Sequence, residues 1–210
     1  MQLSNEEEDY NLSLSKFESM LKTNKVLFFD SEEFEEIILH YIDSGKTSLA
    51  KKALKLALEQ HPKSTGLKLV QVEMLVYEDQ LDLADKMLNE LYAIEPNNEE
   101  IYIQKANICS KRDQHEKAVE LLKIALKYTD DYADVYNLIG MEYLFMDNLE
   151  MAKDSFIKCL EEDLEDQSAL YNVVYCFEFL DQNKEAIERL SEIIKASRSI
   201  GIAIALVLGI

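Results

Sequence analysis

Apolar residues along the chain recur at helical spacing in short blocks, the blocks come in pairs, and short polar breaks separate them. The pairs repeat with a fixed period. Ala50, Ala84, Ala118, Ala152 and Ala186 stand 34 residues apart. Four residues after each come Leu54, Leu88, Leu122, Phe156 and Leu190, and three further on come Ala57, Leu91, Ala125, Cys159 and Ile193. Nine residues before each alanine stand Tyr41, Leu75, Cys109, Tyr143 and Phe177, preceded by Ile38, Val72, Ala106, Gly140 and Val174. Each unit predicts a helix hairpin. In the fourth, Tyr136, Ile139, Gly140 and Tyr143 line one helix, and Ala152, Phe156 and Cys159 line the next. The small residue lets the two helices approach closely, and the bulky one four positions on fills the groove between them. The breaks carry turn chemistry, as in Asp43-Ser44-Gly45, Asp147-Asn148 and Asp181-Gln182-Asn183, and Pro62 and Pro96 end the second helices of the first two units.

A 34-residue hairpin unit with these apolar positions, a small residue opening the second helix and a terminal proline resembles the tetratricopeptide repeat. Five units fit, over residues 31–64, 65–98, 99–132, 133–166 and 167–200. The resemblance implies an all-α fold, a right-handed α-solenoid of five stacked 34-residue helix-turn-helix repeats with a short N-terminal capping helix. The chain departs from the family's pattern in places. No Trp occupies the first aromatic position, where Phe34, Lys68, Tyr102, Tyr136 and Leu170 stand, and the proline position holds Asp130, Leu164 and Arg198 in the last three units. Lys68 and Lys105 at core positions predict looser packing in the second and third units. Outside the repeats, residues 1–12 are an acidic run expected to be disordered, and residues 13–30 form a capping helix (Leu14, Phe17, Met20, Leu21) with its linker. Asp30 and Glu33 have the spacing of a capping box for the first repeat. Residues 201–210 are an apolar tail, read either as the start of a truncated sixth repeat or, with Ile200, as a self-association element.

Composition narrows the function. The chain has 210 residues with only 5 Gly and 2 Pro, too few breakers for a many-stranded sheet, and Lys+Arg 22 against Asp+Glu 41 gives a net charge of -19. So negative a surface repels nucleic-acid phosphates and anionic membranes, and neither is expected as a partner. Cys109, Cys159 and Cys176 have neither C-x-x-C spacing nor an even count, and read as small buried apolar residues. The first residues lack a basic, apolar leader, so the expected compartment is cytoplasmic. The run Ile200–Ile210 is too short to span a bilayer.

Chemistry is scarce. Gly45-Lys46-Thr47-Ser48 imitates the end of a phosphate-binding loop, but His40 stands where that loop needs its first Gly, and the segment joins two helices. His40, His61 and His115 lie in different units with no acidic or thiol partner at ligand spacing, so no metal and no cofactor are expected. No nucleophile signature is present, and the protein is read as non-catalytic.

The resemblance places function on the concave wall formed by the first helices of the repeats. The wall positions are mixed in the first three units: Glu32, Glu35, Leu39 and Ile42, then Gly66, Leu69, Glu73 and Val76, then Glu100, Ile103, Asn107 and Ser110. In the fourth and fifth they turn aromatic and apolar. The candidate partner-binding residues are Tyr77, Asn107, Asn137, Met141, Phe145, Tyr171, Asn172, Tyr175 and Phe179, with aromatic anchors for an apolar segment and asparagine amides for its backbone. The basic clamp by which some family members grip a terminal carboxylate is missing, since Ile103, Asn107, Leu138, Ser168 and Asn172 occupy its positions. The expected role is therefore a protein–protein interaction scaffold for a neutral-to-basic, apolar peptide segment or helix of a partner protein. The alternatives are a regulatory or targeting subunit of an associated enzyme, and a helical-repeat nucleic-acid binder, which the charge disfavours.

Overall fold

A computed structural model describes the backbone of residues 2–23 and 26–208 and the side chains of residues 12–23 and 26–196. Among the described residues there are eleven helices and no strand. They are α1 (Gln2–Thr23), α2 (Ser31–Asp43), α3 (Thr47–Gln60), α4 (Thr65–Tyr77), α5 (Leu81–Tyr92), α6 (Glu99–Lys111), α7 (His115–Ala125), α8 (Tyr132–Phe145), α9 (Leu149–Glu162), α10 (Gln167–Phe179) and α11 (Asn183–Leu208). From α2 onward, α2 pairs with α3, α6 with α7, α8 with α9 and α10 with α11 in the expected hairpins, and the same kind of turn joins α4 to α5. The chain divides into two compact units, residues 1–91 and 92–210.

Each hairpin turns in the same way. Gly45, Asp79, Asp113, Asp147 and Asp181, again 34 residues apart, have φ of 68°, 61°, 54°, 55° and 56°. A residue in this left-handed region ends the first helix and reverses the chain. In the first turn Gly45 N–H donates to Ile42 O and Lys46 N–H to Tyr41 O, and the same pair of bonds recurs at every later turn, ending with Asp181 N–H to Glu178 O and Gln182 N–H to Phe177 O. This 5→2 and 6→1 pairing satisfies carbonyls that a helix end leaves orphaned. Aspartate tolerates the conformation because its short side chain bonds locally. The nucleotide-loop look-alike at Gly45–Ser48 is this turn and the start of α3.

In the first unit, α1 lies on α2, and both α2 and α3 touch α4. Phe17 of α1 is fully buried, its ring 5.8 Å from Phe29, 6.2 Å from Phe34 and 6.1 Å from Tyr41. The extended linker is clasped by the end of α3, where Gln60 Oε1 accepts from Phe29 N–H at 3.2 Å and Gln60 Nε2 donates to Leu27 O at 2.8 Å. Asp30 and Glu33 form the capping box, and Glu33 also accepts from Ser13 Oγ at 2.6 Å, tying α1 to the first repeat. The helix α1 includes the residues 13–22 expected to cap the repeats and extends N-terminally to Gln2. It thus covers the backbone of a run that composition reads as disordered. The side chains of residues 1–11 lie outside the described residues.

In the second unit, α6 pairs with α7, α8 with α9 and α10 with α11, while α7 packs on α8 and α9 on α10. Ala118 and Ala152 are fully buried. Lys153 is buried too, yet its Nζ donates to Glu150 at 2.6 Å and to Gln182 at 2.7 Å and sits 5.3 Å from the centroid of Phe177, joining α9 to the following turn. Burial opposes its charge, but Glu150, with the further negative charge of Glu185 and Asp154, outweighs it and holds the ammonium above its ordinary range. Lys68 and Lys105 are half-buried, and Lys105 Nζ lies 4.8 Å over the Tyr92 ring. Lys105 thus keeps its head on an aromatic face rather than in the core.

The fifth hairpin differs. Val174 is 39% exposed, although Ile38, Val72, Ala106 and Gly140 at the matching positions are buried. With Arg198 in place of a helix-stopping residue, α11 continues through position 200 to Leu208. The side chains of the apolar tail, 201–210, lie outside the described residues.

Gly140 compensates for Phe156. A Cβ on Gly140 would stand 2.5 Å from the fully buried Phe156 ring, whereas the other units pair a larger residue with leucine. Gly140→Ala gains about 1 kcal/mol of helix propensity but overpacks the ring at a cost of about 1–3 kcal/mol. The single variant is expected to melt lower than the parent, and Gly140→Ala with Phe156→Leu to recover, with a coupling of about 1 kcal/mol in a denaturant double-mutant cycle. Gly45→Ala, which meets no atom within 4 Å, should cost about 1 kcal/mol from φ alone in the same assay.

Candidate functional site

The first helices of the second unit carry most of the expected binding residues, and their amphipathic pattern explains why these are reachable. On α8 and α10, Val135, Ile139, Ala169, Val173 and Cys176 face the core, which leaves the rows Asn137–Met141–Phe145 and Tyr171–Tyr175–Phe179 on other sides. Phe145 is 58% exposed, Tyr171 73% and Phe179 67%. Tyr175 is half-buried with its ring 4.5 Å from Phe179, and it and Met141 pack against the unit's core. Asn172 Nδ2 donates to Met141 Sδ at 3.6 Å, which brings α10 and α8 together here. Phe145 stacks on His115 at 5.3 Å.

The asparagines are partly engaged within the fold. Asn137 Nδ2 donates to Asp166 Oδ2 at 3.4 Å, while its Oδ1 is buried without a partner. Asn107 is half-buried on α6. Tyr77, 73% exposed at the end of α4, belongs to the first unit. Several wall positions expected to be readable are buried instead. Leu69, Val76 and Ile103 have little access to solvent, Ile103 because it joins the second unit's core.

Electrostatically α8 and α10 are one-sided, since neither contains a lysine or arginine. In the first unit α2 has none either. Burial pushes the carboxyls of Glu35 and Glu73 above the usual range, and Glu32 beside the first and Asp43 beside the second add to the rise. Glu35 lies over Gly66, where a Cβ would collide with its carboxyl. Asp134 on α8 is raised in the same sense, by partial burial and then by Asp131 and Asp166. The rise at Glu73 is foreshadowed in the sequence, since Glu73 is the one charge in the stretch from Leu69 to Tyr77.

One reading of the histidines changes. His115 does have an acidic partner, because α7 and α8 pack so that its Nδ1 lies 2.8 Å from Glu142 Oε2 although the residues are 27 apart in sequence. His61 Nε2 instead meets Phe29 O at 2.7 Å. Among the described residues no group of three His, Cys, Asp or Glu side chains could hold a metal ion, and no helix is long and apolar enough to cross a membrane. Burial, aided by a bond to Asp166, pushes the Cys159 thiol up to about 12, and burial pushes Cys176 up to about 11.

The sequence profile of the tetratricopeptide repeat matches residues 75–141, and a second profile of that repeat matches residues 133–166. No curated protein matches the sequence. Among solved structures, a thermophilic TPR protein of Thermus thermophilus is 19% identical, with 80% of this chain and 90% of that one covered at a TM-score of 0.66. Pseudomonas aeruginosa pilF is 21% identical, with 85% and 84% covered at 0.64. The first TPR domain of Spaghetti (RPAP3), solved bound to an HSP90 peptide, is 16% identical, with 55% and 91% covered at 0.50. At such identities the likeness is one of fold.

Two measurements test this description. A carboxyl raised by folding binds its proton more tightly in the native state, so its contribution to stability falls as pH rises through the ordinary carboxylate range and stays lost at neutral pH. Glu73→Gln should therefore melt higher than the parent at pH 7, with the gain shrinking as pH falls toward about 4. With the thiols of Cys159 and Cys176 buried and protonated, iodoacetamide at pH 7.5 should modify Cys109 alone in the native protein and all three cysteines in denaturant.

Proposed function

Because the chain is a tetratricopeptide repeat protein, we propose that it is a non-catalytic scaffold whose second unit holds a segment of a partner protein against α8 and α10. The carrying observation is the exposure of Phe145, Tyr171 and Phe179 on helices with no basic residue. Large rigid rings bury area on binding at small entropic cost, which suits them as anchors. α8 carries Asp134, α10 is capped by Asp166 and carries Glu178, and neither helix has a basic residue, so the favoured segment is apolar and neutral to basic, and an acidic one is repelled. The HSP90 peptide held by the Spaghetti domain supports peptide capture by a related fold. Its acidic sequence, however, is the wrong charge for this face.

The test is affinity capture from native lysate with the parent and with Tyr171→Ser/Phe179→Ser, after circular dichroism shows equal helicity. A partner retained by the parent should be lost by the variant. Direct titration of that partner should show a weakening of about thirtyfold or more if either ring is an anchor worth about 2 kcal/mol. Equal retention by both proteins removes the proposal.

A further inference from the structure

Tyr77 stands apart from the aromatic rows of the second unit, and its own surroundings have a different character. It lines a notch of about 50 Å³ together with Ile42, Thr47, Glu73, Met74 and Glu78, all in the first unit. Met74 is buried and Ile42 half-buried, giving an apolar floor, while the Tyr77 ring stands 73% exposed as one wall. Glu78 is already paired with Lys51. Glu73 is not: among the described residues no ion pair reaches it, and no basic side chain lines the notch. Its carboxylate is half-buried beside the negative charge of Asp43, an arrangement that opposes its own ionisation.

From this geometry we infer that the notch seats the cationic head of an arginine or lysine side chain carried by a partner protein. The inference takes from the proposed function only that the chain binds protein segments, and it uses none of the residues assigned there. Three features converge on a cation. Glu73 has already lost much of its hydration, so a guanidinium or ammonium arriving there finds a carboxylate that few waters compete for, with Asp43 reinforcing the attraction. The Tyr77 face attracts a cation through its ring quadrupole. Ile42 and Met74 cover the methylene stem, as apolar surfaces do for long basic side chains. The notch of about 50 Å³ is small, of the size suited to a side-chain head group. A carboxylate-bearing side chain is repelled.

The probe is N-acetyl-arginine methylamide, set against its neutral isostere N-acetyl-citrulline methylamide. Each is titrated at low salt into the full chain carrying labelled Met and Ile methyl groups, and the Met74 and Ile42 signals are followed by NMR. The arginine amide should shift both signals with millimolar affinity, and the citrulline amide should bind at least about fivefold more weakly. Glu73→Gln, checked for unchanged helicity, should remove most of the difference between arginine and citrulline, and Tyr77→Ser should weaken arginine with less effect on citrulline. Equal binding of the two amides, no shift with either, or an undiminished charge preference in Glu73→Gln overturns the inference. Tyr171→Ser/Phe179→Ser should leave the arginine titration unchanged. A failed titration beside successful lysate capture would thus remove the notch alone, and the reverse result would remove the second-unit face alone.

Discussion

A three-residue link between two antiparallel helices leaves the chain almost no slack, and the rest of this structure follows from that constraint. The link closes only because one residue in each turn takes a positive φ, which lets two amides reach back to the carbonyls of the helix just ended. The next helix must then start at once and lie close against the first. Ala50, Ala84, Ala118 and Ala152, all fully buried, are the residues that make such closeness tolerable. Where the fourth hairpin replaces leucine by Phe156, the volume is returned on the facing helix by Gly140. Turn geometry and core packing thus share one 34-residue period because each is a condition of the other.

The same constraint determines where binding chemistry can stand. A hairpin commits one stripe of its first helix to its partner and further positions to the neighbouring hairpin, so only a narrow row remains for other uses. In this chain that row was filled with aromatic rings and carboxylates and left without lysine or arginine on α2, α8 and α10. Glu35 and Glu73 are held half-buried with no cation among the described residues paired to them, a local cost to stability that structural need does not explain. Buried charge elsewhere in the molecule is handled differently. Lys153 is surrounded by Glu150, Gln182 and the Phe177 ring, and the buried Glu142 carboxyl lies 2.8 Å from His115 Nδ1. The contrast between Lys153, satisfied by its neighbours, and Glu73, which no ion pair reaches among the described residues, is the physical basis for the proposed cation notch.

Much of the architecture was legible in one dimension. The period, the hairpins, the small residue at the contact, the Asp30–Glu33 cap and the docking of Phe17 all follow from residue spacing, because they depend on contacts within a helix or between elements adjacent in the chain. The lone Glu73 in an uncharged stretch was visible too, although nothing in the sequence said what surrounds it. Other features depend on which neighbour a surface meets. Leu69, Val76 and Ile103 share the helical register of the exposed wall and are nonetheless buried, while Val174 has the register of the core and is exposed in the fifth hairpin.

Pairings across hairpins belong to the same class. His115 with Glu142, Asn137 with Asp166, Asn172 with Met141 and Lys153 with Gln182 join residues 27 to 31 positions apart. No motif records such distances, because they arise from the stacking of one hairpin on the next. The amino-acid sequence by itself determined the repeat, its helices, its turns and the acidic, aromatic character of the chain, since periodic burial and backbone preference are local properties. Only the tertiary structure decided which wall residues remain open, which amides and charges are already spent, and that Glu73 and Tyr77 share a notch with Ile42 and Met74. Exposure and charge pairing are properties of the packed neighbourhood, and equivalent positions of the repeat are buried or open according to what stacks on them.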